Sequence, residues 1–333
     1  MKKYKICKIL LVILAIFLCV AFYELLGICV AYKKQPEVSN TTKKETKNGS
    51  WNECSENTER AVIIEKNPEA LLQRVRLIKN AKKEIILSTF AFQSDESGKL
   101  ILGALHDAAD RGVHIRLLVD GMESWIDMEG NPYFYGLSSH ENVEIKLYNK
   151  ANPLKPWKMM GRMHDKYLIA DGKRYILGGR NTYNYFLGDF PGHKNYDRDV
   201  LVVCDEPEKE NSVNQLLEYF ETIWEQEDSG YFHDNKKLAN RKSVKNAVLE
   251  LQNGYQKYFE ENKERICDTD YTDETFETEK IALVSNPIHT GSKEPVVWYQ
   301  LGELMKNAKN RVKIHTPYII CNDMMYNTWE EIA

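Results

Sequence analysis

The twenty residues from Arg162 to Asn181 restrict the fold of this chain more than any other stretch. Leu168-Ile169-Ala170 is apolar, Asp171-Gly172 follows, and Lys173 to Leu177 runs back, so the segment predicts two antiparallel strands joined by a two-residue turn. Asp171, in that turn, organises Gly172 and the hairpin. His164 and Lys166 stand two apart, which on an extended strand turns both side chains to one face and Asp165 to the other. The return ends at Gly178-Gly179, where no side chain obstructs the approach of backbone to a ligand, and Asn181 adds an amide donor just beyond.

These residue types point to phosphoryl chemistry. A neutral imidazole, with an ordinary pKa of about 6.5, is a competent nucleophile toward phosphorus and would give a covalent phosphohistidine. Lys166 and Asn181 would hold the non-bridging oxygens, a task that fixed donors perform without a metal or other cofactor. The set lacks an acid for the leaving alcohol, because one histidine cannot attack and protonate in line at once. An ordinary hairpin with a surface His and Lys would explain the strands but not the paired glycines and asparagine at their end.

The order H-x-K, four residues, Asp, six residues, G-G-x-N resembles the HKD signature of the phospholipase D superfamily, and every signature position is filled. The resemblance implies a catalytic set of His164, Lys166 and Asp171, although the turn position of Asp171 favours a structural role. It implies phosphate binding by Lys166, Gly178, Gly179 and Asn181, no metal, and an acid supplied by a second copy of the motif. In similar proteins an acidic residue entering the next strand orients the catalytic histidine; here Asp197 is the first candidate and Asp199 the second. Solvated charges at the mouth of a strand are the alternative for both.

An internal repeat bears on the missing acid. Leu77–Phe90 aligns with Leu304–Pro317, and both read as a helix end, a basic turn and a buried strand. The 87-residue step from Leu77 to His164, repeated from Leu304, falls near position 391, past Ala333. The chain thus reads as stopping before its second motif, with that half supplied by further sequence or by another chain.

Ile9 to Tyr32 is apolar apart from Glu24, and Lys2, Lys3, Lys5 and Lys8 precede it. A span needs about 20 residues, so 1–34 reads as an uncleaved transmembrane anchor; the run before Glu24 would also suit a signal-peptide core. The lysines favour a cytoplasmic N-terminus and an extracytoplasmic globular part. Residues 35–60 are polar and read as a flexible tether. From 61 to 232 helices (68–80, 99–111, 214–227) alternate with strands (84–92, 114–119, 143–148), which predicts an α/β domain with a mixed, largely parallel sheet flanked by helices. Residues 233–275 read as a helical connector, and 276–333, from the strand 280–284, as the start of a second such domain. The resemblance extends from about residue 65 onward, most closely to bacterial cardiolipin synthases.

A formal net charge of −4 argues against broad nucleic-acid binding. Between Lys146 and Arg174, eight basic residues face only Asp165 and Asp171, which suits an anionic substrate if they flank the site. The loop 152–160, with Trp157, reads as a membrane-interface element or as a solvated loop with one buried tryptophan. Cys204 reads as a buried thiol, and Cys54 could pair with Cys267 in an exported domain. The resemblance implies a phosphatidyltransferase acting at a membrane on an anionic, phosphatidylglycerol-like phospholipid. The alternatives are a phospholipase D, phosphodiesterase or nuclease working as a homodimer, or an inactive truncated fragment.

Overall fold

The computed structural model of the chain describes residues 2–47, 59–207, 211–233, 235–316 and 318–333. It divides into two compact units, one made of Cys54–Leu154 and Gly161–Ile281, the other of Met1–Glu53, Lys155–Met160 and Ala282–Ala333.

Among the described residues of the first unit nine strands form one sheet: β1 (Arg60–Ile64), β2 (Glu84–Thr89), β3 (His114–Asp120), β4 (Val143–Tyr148), β5 (Tyr167–Ala170), β6 (Arg174–Gly178), β7 (Asp199–Val203), β8 (Ser229–Tyr231) and β9 (Phe276–Glu277). Their order is β8-β4-β3-β2-β5-β6-β7-β1-β9. The mixed α/β sheet is as expected, but its parallel share is smaller. Only β2–β3 and β3–β4 run parallel, each joined through helices, and the six other pairings are antiparallel. A parallel pair needs a long crossover, which the helices supply, whereas a two-residue turn forces the strands it joins to be antiparallel. At that turn Asp171 (φ 54°) and Gly172 (φ 64°) both take the positive angles of a primed hairpin turn.

Apolar periodicity builds the layers on this sheet. The helix Asn67–Asn80 starts with a proline in its first turn and buries Leu71, Val75 and Ile78 at spacings of four and three. Asp95 caps the helix Glu96–Asp110 by accepting the Gly98 N–H. The segment 233–275, expected as a connector, belongs to this first unit. Its helix Lys242–Glu261 buries Val244, Ala247, Leu251, Tyr255 and Phe259 along one stripe. That stripe crosses the helix Glu96–Asp110 at Gly103, where a Cβ would stand 2.7 Å from the Leu251 carbonyl oxygen.

In the second unit Lys5–Tyr32 is a 28-residue stretch long and apolar enough to cross a membrane. The polar segment expected as a tether holds a helix, Asn40–Lys47, whose first turn is capped by Ser39 Oγ accepting from the Thr42 N–H at 3.1 Å. Pro156 packs against Gly27 of the long helix, and Trp157 is partly exposed rather than buried. The helical part of the internal repeat forms, as Val296–Lys306. Among the described residues its strand part does not, nor does the expected strand 280–284. A strand exists only through its ladder, and no described segment pairs with either stretch, whereas β2 is bonded on both sides. Cys204 is buried and Cys267 exposed; Cys54 lies outside the described residues.

Candidate active site

Four adjacent strands bring every signature position except Asp171 together at one end of the sheet. The segment 162–166 enters β5 as extended chain, and the ladder reaches Lys166, whose carbonyl accepts the Gly178 N–H at 3.1 Å. The glycines leave β6, with Gly178 opposite Asp199 of β7. On the other side Ala91, just past β2, donates its N–H to Asn181 Oδ1 at 3.2 Å and accepts the Thr182 N–H at 3.1 Å. With its oxygen so engaged, the buried Asn181 amide presents its NH2 group as donor.

The His164 ring meets the Phe90 ring edge-on at 4.7 Å between centroids, and its nitrogens make no hydrogen bond among the described residues. Desolvation, and then the Lys166 charge, hold its pKa below the ordinary histidine value, even though part of the side chain stays open to solvent. It is therefore a neutral, unencumbered imidazole near pH 7. Lys166 is only 6% exposed; its Nζ donates to the His164 carbonyl at 2.6 Å and lies 5.3 Å from the Phe90 centroid. Burial brings its pKa down to about 8, against the opposing charges of Asp165 and Asp197. Asp165 faces away, as its alternation predicts, and accepts the Tyr219 hydroxyl at 2.8 Å.

The two glycines have a nearer reason than ligand approach. A Cβ on Gly178 would stand 2.0 Å from Asp199 Oδ1 and one on Gly179 2.0 Å from Asp197 Oδ2, so the carboxylates of the entering strand occupy the vacant space. Neither carboxylate bonds the His164 ring among the described residues. Asp199 is buried and committed to two guanidinium groups, with Oδ2 at 2.9 Å from Arg74 Nη1 and 3.3 Å from Arg180 Nη1. That removes it from the orienting role. Asp197 is exposed and accepts the Arg198 N–H at 2.7 Å.

Asp171 is not part of this site. It lies at the opposite end of β5, roughly 16 Å along the strand from Lys166 at the rise of an extended chain. There its carboxylate accepts the N–H groups of Lys82, Lys83 and Glu84 at 2.7 to 3.0 Å, tying the hairpin turn to the start of β2. Lys173 and Arg174 share that far end, and Lys146 is spent on the Trp224 carbonyl at 2.8 Å. The basic run from 146 to 174 is therefore divided in space, and its summed charge does not act at the site.

Three contributors escape a reading of the sequence. Phe90 supplies the surface against which His164 and Lys166 stand. Asp120, fully buried at the end of β3, accepts the Met163 N–H at 3.2 Å, caps the helix Gly121–Asp127 and pairs with Arg162, whose own pKa burial lowers to about 10. An acid closing an apolar strand before a helix was its available signal. Arg180, inside the glycine–asparagine segment, turns into the core and donates to Asn67 Oδ1 and to the carbonyls of Ile64 and Glu65.

A family described as "Cardiolipin synthase, PLD-like domain" matches residues 74–224. A Helicobacter pylori (strain J99) protein described as uncharacterized is 30% identical over 59% of this chain and 39% of its own length. Cardiolipin synthase C of Escherichia coli K12 is 29% identical over 47% of this chain and 34% of its own. Among solved structures, phosphatidylserine synthase of Haemophilus influenzae aligns with a TM-score of 0.44 and 17% identity, over 66% of this chain and 48% of that one. The chain spans between 34% and 54% of the first three curated relatives it matches.

Proposed function

We propose that this chain is a member of the phospholipase D superfamily, in its cardiolipin synthase-like branch, and that it carries the nucleophilic half of a membrane-bound phosphatidyltransferase. His164 attacks the phosphorus of an anionic, phosphatidylglycerol-like phospholipid. The new P–N bond forms as the P–O bond to glycerol breaks, and the departing alkoxide takes its proton from the acid of a second HKD half, supplied by further sequence or by another chain. A lipid hydroxyl, giving its proton back to the group that served as acid, then attacks the phosphohistidine, the P–N bond breaks, and the phosphatidyl group moves on. Lys166 and the Asn181 amide stabilise the oxygens on which charge accumulates, and no metal is required. The helix Lys5–Tyr32 anchors the protein in the membrane, with the globular part on the extracytoplasmic side.

One observation supports this reading above the rest: an imidazole kept neutral, with both nitrogens open, two residues from a buried ammonium. In this proposal the first unit, Cys54–Leu154 and Gly161–Ile281, is the catalytic domain. The test uses membranes containing the chain together with its second HKD half, and phosphatidylglycerol radiolabelled on phosphate. Labelled diphosphatidyl lipid should form, and acid-labile label should be trapped on residue 164. His164→Ala should abolish both; lipid products unchanged by that substitution would defeat the assignment. Labelled phosphatidic acid alone would make the enzyme a phospholipase D.

A further inference from the structure

The far end of the hairpin, which the active site does not use, holds a cavity of about 420 Å³. That size falls within the range of small-molecule sites, about 300–1,000 Å³. Lys82 and Lys83, from the turn before β2, and Lys173 and Arg174, from the turn after β5, converge on it. One lining carboxylate opposes these four cations, and it belongs to Asp171, whose two oxygens are already taken by three backbone N–H groups. Arg174 Nη2 reaches the exposed Asp205 at 2.8 Å.

Two donors at this place are unanswered. Arg174 Nε and the Tyr271 hydroxyl are both buried and have no hydrogen-bond partner, and Tyr271 is only 4% exposed. Burial raises the Tyr271 pKa above its ordinary value, against the charges of Arg76 and Arg174, so the phenol stays a protonated donor. Buried donors are normally paired, and a pocket that gathers cations around unpaired ones is built for an acceptor-rich anion.

We propose that this cavity is a second, non-catalytic anion site that binds a phosphate-class group, either free phosphate or the phosphodiester of an anionic lipid headgroup. A phosphoryl group placed there accepts from Tyr271 Oη and Arg174 Nε while the three lysines neutralise its charge. The site stands at the opposite end of β5 from His164, so it does not depend on the catalytic reading.

The test titrates the full chain in detergent with inorganic phosphate by calorimetry. A Lys166→Ala background removes phosphate binding at the catalytic end. One phosphate per chain should still bind. Adding Lys82→Ser and Lys173→Ser, both at exposed positions that the fold does not need, should weaken it at least tenfold, and Tyr271→Phe about threefold. No binding in the Lys166→Ala protein, or an affinity unmoved by the paired serine changes, would overturn the proposal. Dihexanoyl-phosphatidylglycerol below its micelle concentration separates the two sources. Tighter binding than inorganic phosphate assigns the site to lipid headgroups, and weaker binding assigns it to the free ion.

Discussion

Removing the charge of Lys166 should make the protein more stable while destroying its chemistry. The ammonium is 6% exposed, and burial lowers its pKa from 10.5 to about 8. At about 1.4 kcal/mol per pKa unit, keeping it protonated costs the native state about 3 kcal/mol below pH 8. The folded form binds fewer protons than the unfolded form between pH 8 and 10.5, so this penalty fades as pH rises through that window. Lys166→Met escapes the penalty but forfeits the bond to the His164 carbonyl, worth about 1 kcal/mol. The expected balance is a gain of about 2 kcal/mol at pH 7 and a loss of about 1 kcal/mol near pH 10.5. Guanidinium unfolding of the full chain in detergent, followed by near-ultraviolet circular dichroism at several pH values, measures both. A methionine variant less stable at pH 7, or a difference that ignores pH, would refute the claim that this ammonium is held at a cost.

Two further outcomes follow from the same geometry. The profile of kcat/KM against pH should be a bell, falling on the acid side below the ordinary histidine value as His164 gains a proton, and on the alkaline side near pH 8 as Lys166 loses one. A plateau extending to pH 10 in a steady-state assay would contradict the alkaline limb. Asp199→Ala should cost about 3–5 kcal/mol, because it strands the Arg74 and Arg180 charges in the core, whereas the exposed Asp197→Ala should change stability by no more than about 0.5 kcal/mol. Equal melting shifts for the two would show that the buried cluster does not hold the glycine turn.

The site was legible to the extent that its chemistry is local. His164, Lys166 and Asn181 were visible because residue type and spacing along one hairpin already fix which groups can face one phosphate. Asp171 misleads for the same reason. It stands in the signature, yet a strand of four residues carries it to the opposite end of the sheet, where backbone N–H groups claim it. A charge count along the chain likewise treats Lys173 as a neighbour of Lys166, although the hairpin sends them to opposite ends.

The sequence by itself determined the hairpin, its Asp-Gly turn, the alternation of helices and strands and the apolar N-terminal helix, because each follows from local propensity and periodicity. Only the tertiary structure decided the company these residues keep. The pairing of β7 beside β6 put carboxylates into the space left by Gly178 and Gly179 and turned Asp199 into the counter-ion of two arginines, while the pairing of β2 with β5 and β3 set Phe90 and Asp120 behind the candidate catalytic segment. Contacts of that kind join residues that lie tens to more than a hundred positions apart, and no spacing rule reaches so far.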